Sequence, residues 1–138
     1  MSLALFDILT GPAPESATRS ASSAVASVQA HLRRLFNARR GSLAHLPDYG
    51  LPDIGVIYEN LPYSVDELAR QVCRLIEVYE PRLSAVRVRR LGTVGEDRRI
   101  RLEIAARLVA LGEVRFQTVF ESAGVAQVDI RGAGGLHA

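Results

Sequence analysis

Between Val86 and Ile130 the sequence passes through four stretches in which apolar and polar residues alternate with a period of two. Successive side chains of a β-strand point to opposite faces of a sheet, so this alternation predicts four strands with one buried face. The connections GTVGED, LG and SAG are short and contain glycine, which favours antiparallel neighbours over parallel crossovers. The predicted buried face comprises Val86, Val88, Ile100, Leu102, Ile104, Ala106, Leu108, Val114, Phe116, Thr118, Phe120, Ala126, Val128 and Ile130.

Two segments ahead of the strands have apolar residues three and four positions apart, which is the spacing of amphipathic helices. The first runs from about Ser22 to Ala38 and the second from Ser64 to Tyr79. Ser64-x-x-Glu67 also matches a capping box, in which a hydroxyl and a carboxylate bond to free backbone N–H groups. Because the helices precede the strands, we expect an α+β fold with N-terminal helices packed on one face of a mainly antiparallel sheet of about four strands.

The length of 138 residues suits one domain with a single hydrophobic core. Residues 1–23 are predicted to be an apolar tether followed by a flexible linker rich in Gly, Pro and Ser. Residues 24–131 are then the folded domain, and residues 132–138 a flexible tail. The connection 37–62 is longer than most loops, but its apolar residues predict an ordered segment packed on the domain.

The composition excludes several classes of protein. The chain is 48% apolar and 23% charged, and no stretch reaches about 18 apolar residues, so we expect neither a disordered chain nor a membrane span. The first nine residues lack the basic region of a secretory signal, which predicts a cytoplasmic protein without membrane insertion. Cys73 is the only cysteine and the three histidines lack zinc-site spacing, so no disulfide, metal or cofactor is expected.

All 17 basic residues are arginine. This is either a bias in composition or a use of guanidinium groups for bidentate contacts with carboxylate or phosphate. Glutamates are interleaved with the arginines on the polar face of the predicted sheet, which favours a solvated face with cross-strand ion pairs. An RNA-binding sheet would need aromatic residues on that face, whereas Phe116 and Phe120 fall on the other, so no nucleic-acid partner is expected.

No catalytic triad, phosphate-binding loop or carboxyl pair of defined separation is recognisable, so no catalytic residue is assigned. Glu80 is the main anomaly, because it ends the second helix where the helix dipole disfavours a carboxylate by about 0.3–1 kcal/mol. Pro81 ends the helix and fixes the direction of Arg82. We call Glu80, Pro81 and Arg82 the corner. It is interpreted as a rigid display of an acceptor beside a bidentate donor for a partner, with an internal ion pair as the alternative.

Three motifs follow one another along the chain: LFNARRGS from Leu35, PDYGLPD from Pro47 and YEPRL from Tyr79. Together they resemble the TssE family of type VI secretion baseplate subunits, which is related to the lysozyme-like wedge protein of contractile phage tails. The similarity covers about residues 3–131, with Ala38 where many members have Thr or a similar residue.

The resemblance implies a structural and non-enzymatic role in a cytoplasmic baseplate that is docked at the inner-membrane complex. Members of the family join the other wedge subunits to the first ring of the contractile sheath and help to start sheath assembly. The resemblance implies that Glu80, Pro81 and Arg82 contact the core bundle of TssF and TssG, and that TssK belongs to the same baseplate. It also implies that an edge of the sheet receives extended arms of the sheath subunits TssB and TssC.

Four residues around the long connection have two open interpretations. Arg39, Arg40, Tyr49 and Asp53 either contact partners or anchor the loop within the domain. Two other functional classes also stay open: a small muramidase, and a soluble regulatory binding protein of the anti-adaptor type that uses the same fold.

Overall fold

The computed structural model describes residues 14–109, 111–122 and 125–133. Within these ranges, three helices precede four strands along the chain. The elements are α1 (Pro14–Asn37), α2 (Ile54–Glu59), α3 (Ser64–Tyr79), β1 (Leu83–Arg90), β2 (Ile100–Leu108), β3 (Gly112–Phe120) and β4 (Ala126–Ala133). The predicted α+β class is confirmed.

The four strands form one sheet in the order β1-β2-β3-β4, and each neighbouring pair is antiparallel. Ile104 on β2 lies between Val88 on β1 and Phe116 on β3. The predicted alternation is confirmed on the two central strands, where every second residue from Ile100 to Leu108 is buried. Short glycine-bearing connections therefore join consecutive neighbours, as the sequence predicts.

The helices cover the apolar face of this sheet, because α3 packs against β1 and α1 packs against β4. The core between the helices and the sheet is built from fully buried side chains of both. It includes Leu32 and Leu35 of α1, Leu68 and Ile76 of α3, and Phe116 of β3. The opposite face of the sheet remains open.

Ile130 departs from the predicted burial, since 39% of it is exposed. The pairing of β3 with β4 shifts register between Arg115 and Phe116, and Phe116 is the register partner of Ile130. An irregularity of this kind bends a strand and re-aims its side chains. The periodicity of a single strand carries no information about such a shift.

Helix α1 begins at Pro14, earlier than the start predicted near Ser22. Proline is favoured at the first helical position, because its missing N–H is one that has no partner within the helix. Residues 14–23, which were expected to belong to a linker, are therefore helical. The tether in residues 1–13 and the last residues, 134–138, lie outside the described residues. The predicted domain boundaries stay predictions.

The connection 37–62 is ordered and packs on the domain, as its apolar content predicts. Leu51, Ile54 and Ile57 are buried in the core. The connection also contains the short helix α2, which the sequence analysis did not predict. Asp53 caps α2, since its Oδ1 accepts a hydrogen bond from the backbone N–H of Gly55 at 3.0 Å.

Gly50 closes the 38–53 loop onto the end of α1. Its φ of 103° is one that residues with a Cβ rarely adopt, and a Cβ placed there would lie 2.4 Å from the carbonyl oxygen of Ala38. The same close approach lets the N–H of Leu51 donate to that carbonyl at 3.0 Å. Glycine is therefore required at this position of the PDYGLPD motif.

The capping box predicted at Ser64 is wrong. Ser64 is the first residue of α3, and its hydroxyl donates to the carbonyl of Ile57 instead of bonding to an N–H of its own helix. The turn before the helix already satisfies the first amides: the N–H of Ser64 donates to Asn60 and that of Val65 to Pro62. Because those donors are occupied, Glu67 is left to bond with side chains of the next helical turn.

Candidate functional site

The corner lies at the junction of α3 and β1. Helix α3 ends at Tyr79, and the N–H of Glu80 still donates to the carbonyl of Ile76 at 2.8 Å. Pro81 has no N–H and cannot continue the helix. The chain then turns, with the N–H of Leu83 donating to the carbonyl of Glu80 at 3.2 Å, and β1 begins. The backbone thus directs the side chain of Glu80 towards α1.

The carboxylate of Glu80 is held on both oxygens. Its Oε1 accepts from the Nε of Arg82 at 2.8 Å and from the backbone N–H of Arg82 at 3.2 Å. Its Oε2 accepts from the Nη2 of Arg82 at 2.8 Å and lies 2.7 Å from the Nδ1 of His31. Only 1% of Glu80 is exposed. The result is a buried, bidentate ion pair within the chain.

This environment favours the ionised form of Glu80. Burial alone would raise its pKa, but the hydrogen bonds from Arg82 and His31 outweigh burial and lower the pKa to about 2. The hydrogen bonds that Arg82 donates to Glu80 raise the pKa of Arg82 above its usual value. Both partners are therefore charged across the physiological pH range.

Two side chains of α1 complete the network. His31 bonds to Glu80, and the Oγ of Ser27 accepts from the Nη1 of Arg82 at 2.9 Å. Neither residue was assigned to the corner from the sequence. Their spacing of four residues places them on one side of the helix, and this is the signal in the sequence that connects them.

Arg82 alone of the pair reaches the surface. Its side chain is 43% exposed, while that of Glu80 is 1% exposed. A guanidinium group has five N–H donors, and three of them donate to Glu80 and Ser27. The corner thus presents an oriented cation with two further donors, and not the acceptor and donor side by side that the sequence suggested. The assignment of its residues to partner binding stays a prediction.

The four residues of the long connection all make contacts within the chain. Arg39 donates to Asp53 across 3.2 Å, and Arg40 donates to Gln71 at 2.7 Å. The ring of Tyr49 meets that of Tyr79 edge to face, with centroids 5.0 Å apart. These contacts anchor the loop to α3 and to the start of α2. A contact of the same residues with partners stays a prediction.

The open face of the sheet carries the predicted ion pairs. Arg89 on β1 donates to Glu103 on β2 at 2.7 Å. This hydrogen bond lowers the pKa of Glu103 and so favours its ionised form. Arg87 on β1 also pairs with Glu113 on β3, whereas Arg101 pairs with Asp97 of the connection before β2. Phe116 and Phe120 are buried on the opposite side.

Residues 14–109, 111–122 and 125–133 contain no group of three or more side chains that could hold a metal ion. Burial raises the pKa of the Cys73 thiol, whose Sγ donates to the carbonyl of Val86 at 3.5 Å, so the thiolate that a nucleophile needs is disfavoured. In the same ranges, no helix has both the length and the apolar character needed to cross a membrane.

Comparison with known proteins identifies the family. The model of the family described as baseplate wedge protein gp25 matches residues 22–112. The chain belongs to the baseplate wedge protein gp25 family. The resemblance drawn from the LFNARRGS, PDYGLPD and YEPRL motifs is thereby confirmed, and a structural role in a baseplate follows from membership.

Among solved structures, a chain of the baseplate complex from the type VI secretion system is 30% identical, with a TM-score of 0.59. The match covers 71% of this gp25-family chain and 94% of that chain. A putative tail lysozyme from Geobacter sulfurreducens is 17% identical with a TM-score of 0.46, and the match covers 79% of this chain and 92% of that one. No curated protein sequence matches the chain.

Proposed function

We propose that this chain is a non-enzymatic structural subunit of a type VI secretion baseplate wedge. It joins the core bundle of TssF and TssG to the first ring of the sheath, formed by TssB and TssC, and helps to start sheath assembly. TssK belongs to the same baseplate, which is docked at the inner-membrane complex. The observation that carries the proposal is the match to a chain of a type VI secretion baseplate complex.

Arg82 is the proposed contact with the core bundle. Glu80 and Ser27 fix the plane of its guanidinium, and two of its N–H groups are not used by these hydrogen bonds. A guanidinium held in this way recognises a carboxylate or a pair of carbonyl oxygens at low entropic cost. In this proposal Glu80 and His31 are positioning residues, and Pro81 fixes the turn that carries Arg82.

The proposed contact with the sheath is the β1 edge of the sheet. Just after β1, Leu91 donates its N–H to the carbonyl of Arg101 on β2. In an antiparallel pair only every second residue bonds to the neighbouring strand, so the backbone groups of Val88 and Arg90 point outwards. A groove runs beside them between β1 and α3, and Ala69 and Cys73 form part of its lining. An extended segment added to β1 would bond to this backbone and place alternate side chains in the groove.

The β4 edge is less suited to this role. Asn37 of α1 bonds both to the N–H of Ala126, at 2.9 Å, and to its carbonyl, at 3.0 Å. Gln29 donates to the carbonyl of Val128 at 2.7 Å. These side chains occupy backbone groups that an incoming strand would need.

The electrostatics of four carboxyl groups supports the non-enzymatic part of the proposal. A glycosidase needs a carboxylic acid whose pKa is raised so that it can donate a proton. The pKa of Glu80 is instead lowered, as are those of Glu67, Asp97 and Glu103, mainly by hydrogen bonds. Incubation of the purified protein with peptidoglycan should release no soluble muropeptides, and release that a carboxyl-to-amide variant abolishes would overturn this part.

The test of the core-bundle contact is co-purification with TssF and TssG. Arg82→Ala should weaken the association at least about 30-fold, because truncating one partner of a buried charge pair costs about 2–5 kcal/mol. Arg33→Ala is the matched control, since Arg33 is an exposed arginine of α1. If Arg82→Ala folds and binds as tightly as Arg33→Ala does, the corner is not the contact.

The test of the sheath contact uses one position in two variants. Arg90→Pro removes an outward N–H from the edge of the sheet, where proline is tolerated, whereas Arg90→Ala removes only the side chain. We expect Arg90→Pro to abolish recruitment of TssB and TssC to the wedge and Arg90→Ala to retain it. Equal recruitment by both variants would contradict the assignment of β1.

A further inference from the structure

A groove of about 310 Å³ lies between the 38–53 loop and the C-terminal half of α3. Neither the corner residues nor the backbone of the β1 edge line it. We call it the α3 groove. It is therefore a surface separate from the two contacts proposed above, and the baseplate role does not explain it.

The floor of the α3 groove is apolar and aromatic. Val78 lines the groove with 62% of its surface exposed, so its apolar side chain is available for contact. Tyr79 lies next to it, half-buried, with its ring braced edge to face by Tyr49. A rigid tyrosine beside an exposed valine offers contact area without loss of side-chain freedom on binding.

The walls of the groove carry two guanidinium groups. The Nη2 of Arg40 donates to Gln71 Oε1 at 2.7 Å, and Gln71 Nε2 donates to Glu67 at 2.8 Å. This relay holds Arg40 against α3. Arg74 stands three residues after Gln71 on the same helix and has no ion-pair partner among the described residues.

Asp48 is the single carboxylate that lines the groove. Two arginines against one aspartate leave a net positive charge at a site with an apolar floor. A nucleic-acid backbone or an anionic membrane would bring closely spaced phosphates against Asp48, and a flat phosphate surface would leave the floor uncovered. A short peptide segment can instead place an apolar side chain on the floor and a carboxylate at each arginine.

We propose that the α3 groove binds an acidic peptide segment of a partner protein, in which one Leu or Phe side chain is flanked by Asp or Glu. The apolar side chain packs on Val78 and Tyr79. The flanking carboxylates accept hydrogen bonds from Arg40 and Arg74. The positive charge of the groove selects an acidic peptide. The apolar floor selects a peptide with a large apolar residue at its centre.

The test uses the full, ¹⁵N-labelled chain and two pools of ten-residue peptides with a central Leu or Phe. The residues on either side are Asp and Glu in one pool, and Lys and Arg in the other. The acidic pool should shift the amide resonances of Val78 and Tyr79 in a saturable way, and the basic pool should not. The double variant Arg40→Ala, Arg74→Ala should bind the acidic pool at least tenfold more weakly. The control variant Arg33→Ala, Arg34→Ala also loses two arginines and should bind the acidic pool with unchanged affinity.

Arg74→Glu alone keeps the Arg40–Gln71 hydrogen bond and guards against a folding defect in the double variant. It should reverse the preference between the two pools while the midpoint of thermal unfolding stays unchanged. The proposal is overturned if the pools bind equally, if neither binds, or if the shifts lie outside the groove. It is also overturned if oligouridine or phosphatidylglycerol vesicles displace the acidic pool from the groove. None of these results depends on TssF, TssG or the sheath.

Discussion

The corner and the 38–53 loop both hold irregular backbone in place, but they do so by different means. The corner uses a carboxylate that is 1% exposed and bonded by Arg82 and His31. The loop uses backbone geometry at Gly50 and an ion pair, Arg39–Asp53, whose side chains are 55% and 71% exposed. The two arginine–carboxylate pairs therefore contribute differently to stability, because burial decides how much free energy of unfolding is lost when one member is removed.

The largest expected effect is at the corner. Arg82→Ala leaves the carboxylate of Glu80, which is 1% exposed, without its cation. Removal of one partner from a buried ion pair costs about 3–5 kcal/mol. Denaturant unfolding monitored by circular dichroism should show a loss of this size in the free energy of unfolding, and a loss below about 1 kcal/mol would contradict the view that the pair is buried in solution.

The largest effect in the loop is expected from Gly50→Ala. A φ of 103° is strained for alanine, and the added Cβ would lie 2.4 Å from the carbonyl oxygen of Ala38. Backbone strain together with overpacking should cost about 2–4 kcal/mol of unfolding free energy. Gly41→Ala is the matched control, because its φ is also positive but nothing lies within 4 Å of the added Cβ. A larger loss at Gly41 than at Gly50 would refute the explanation by close approach.

The stability that Glu80 gives to the corner is expected to depend on pH. The pKa of Glu80 is lowered to about 2 in the folded chain, whereas an unperturbed glutamate has a pKa of about 4.3. The stability that this group contributes is complete above about pH 5 and is lost as the pH falls towards 2, roughly 2–3 kcal/mol in all. Unfolding free energies measured from pH 7 to pH 2 should fall by that much more for the parent chain than for Glu80→Gln, and parallel curves would contradict the lowered pKa.

Smaller effects are expected from Asp53→Ala. This change removes the cap of α2, the hydrogen bond from Gly55 N–H to Asp53 Oδ1, and should cost about 1 kcal/mol. Arg39→Ala removes only the exposed ion pair and should cost less than about 0.5 kcal/mol. The order of the two midpoints of thermal unfolding is the measurement, and a reversed order would show that the ion pair and not the cap holds this end of the loop.

Local patterns predicted the layout of the fold. Alternation placed Leu102, Ile104 and Phe116 in the core, and all three are fully buried. Helical spacing gave α3 its apolar face. The short helix α2 was not predicted, because six residues that include Ile54, Val56 and Ile57 are too few for a helical period to show.

The candidate site was predicted only in part, because its contacts are distant in sequence. Glu80 stood out since it breaks a preference of helix ends, but its partner His31 lies 49 residues away. Pairing over that distance depends on how α1 lies across α3, which no local pattern specifies. The α3 groove also joins Arg40 to residues of α3, and its relay through Gln71 exists only in the folded chain.

The side-chain amide of Asn37 offers one N–H and its oxygen to the backbone of Ala126, as a peptide group of a fifth strand would, while its second N–H donates to the carbonyl of Arg33. α1 therefore imitates the beginning of another strand and stops the sheet there. If the proposed strand addition takes place at β1, a sheet that is terminated at its other side can be extended in one direction only. Strands from other subunits would then be added at one edge of the sheet only. The direction of growth would be determined by the fold of this chain, before any other subunit binds.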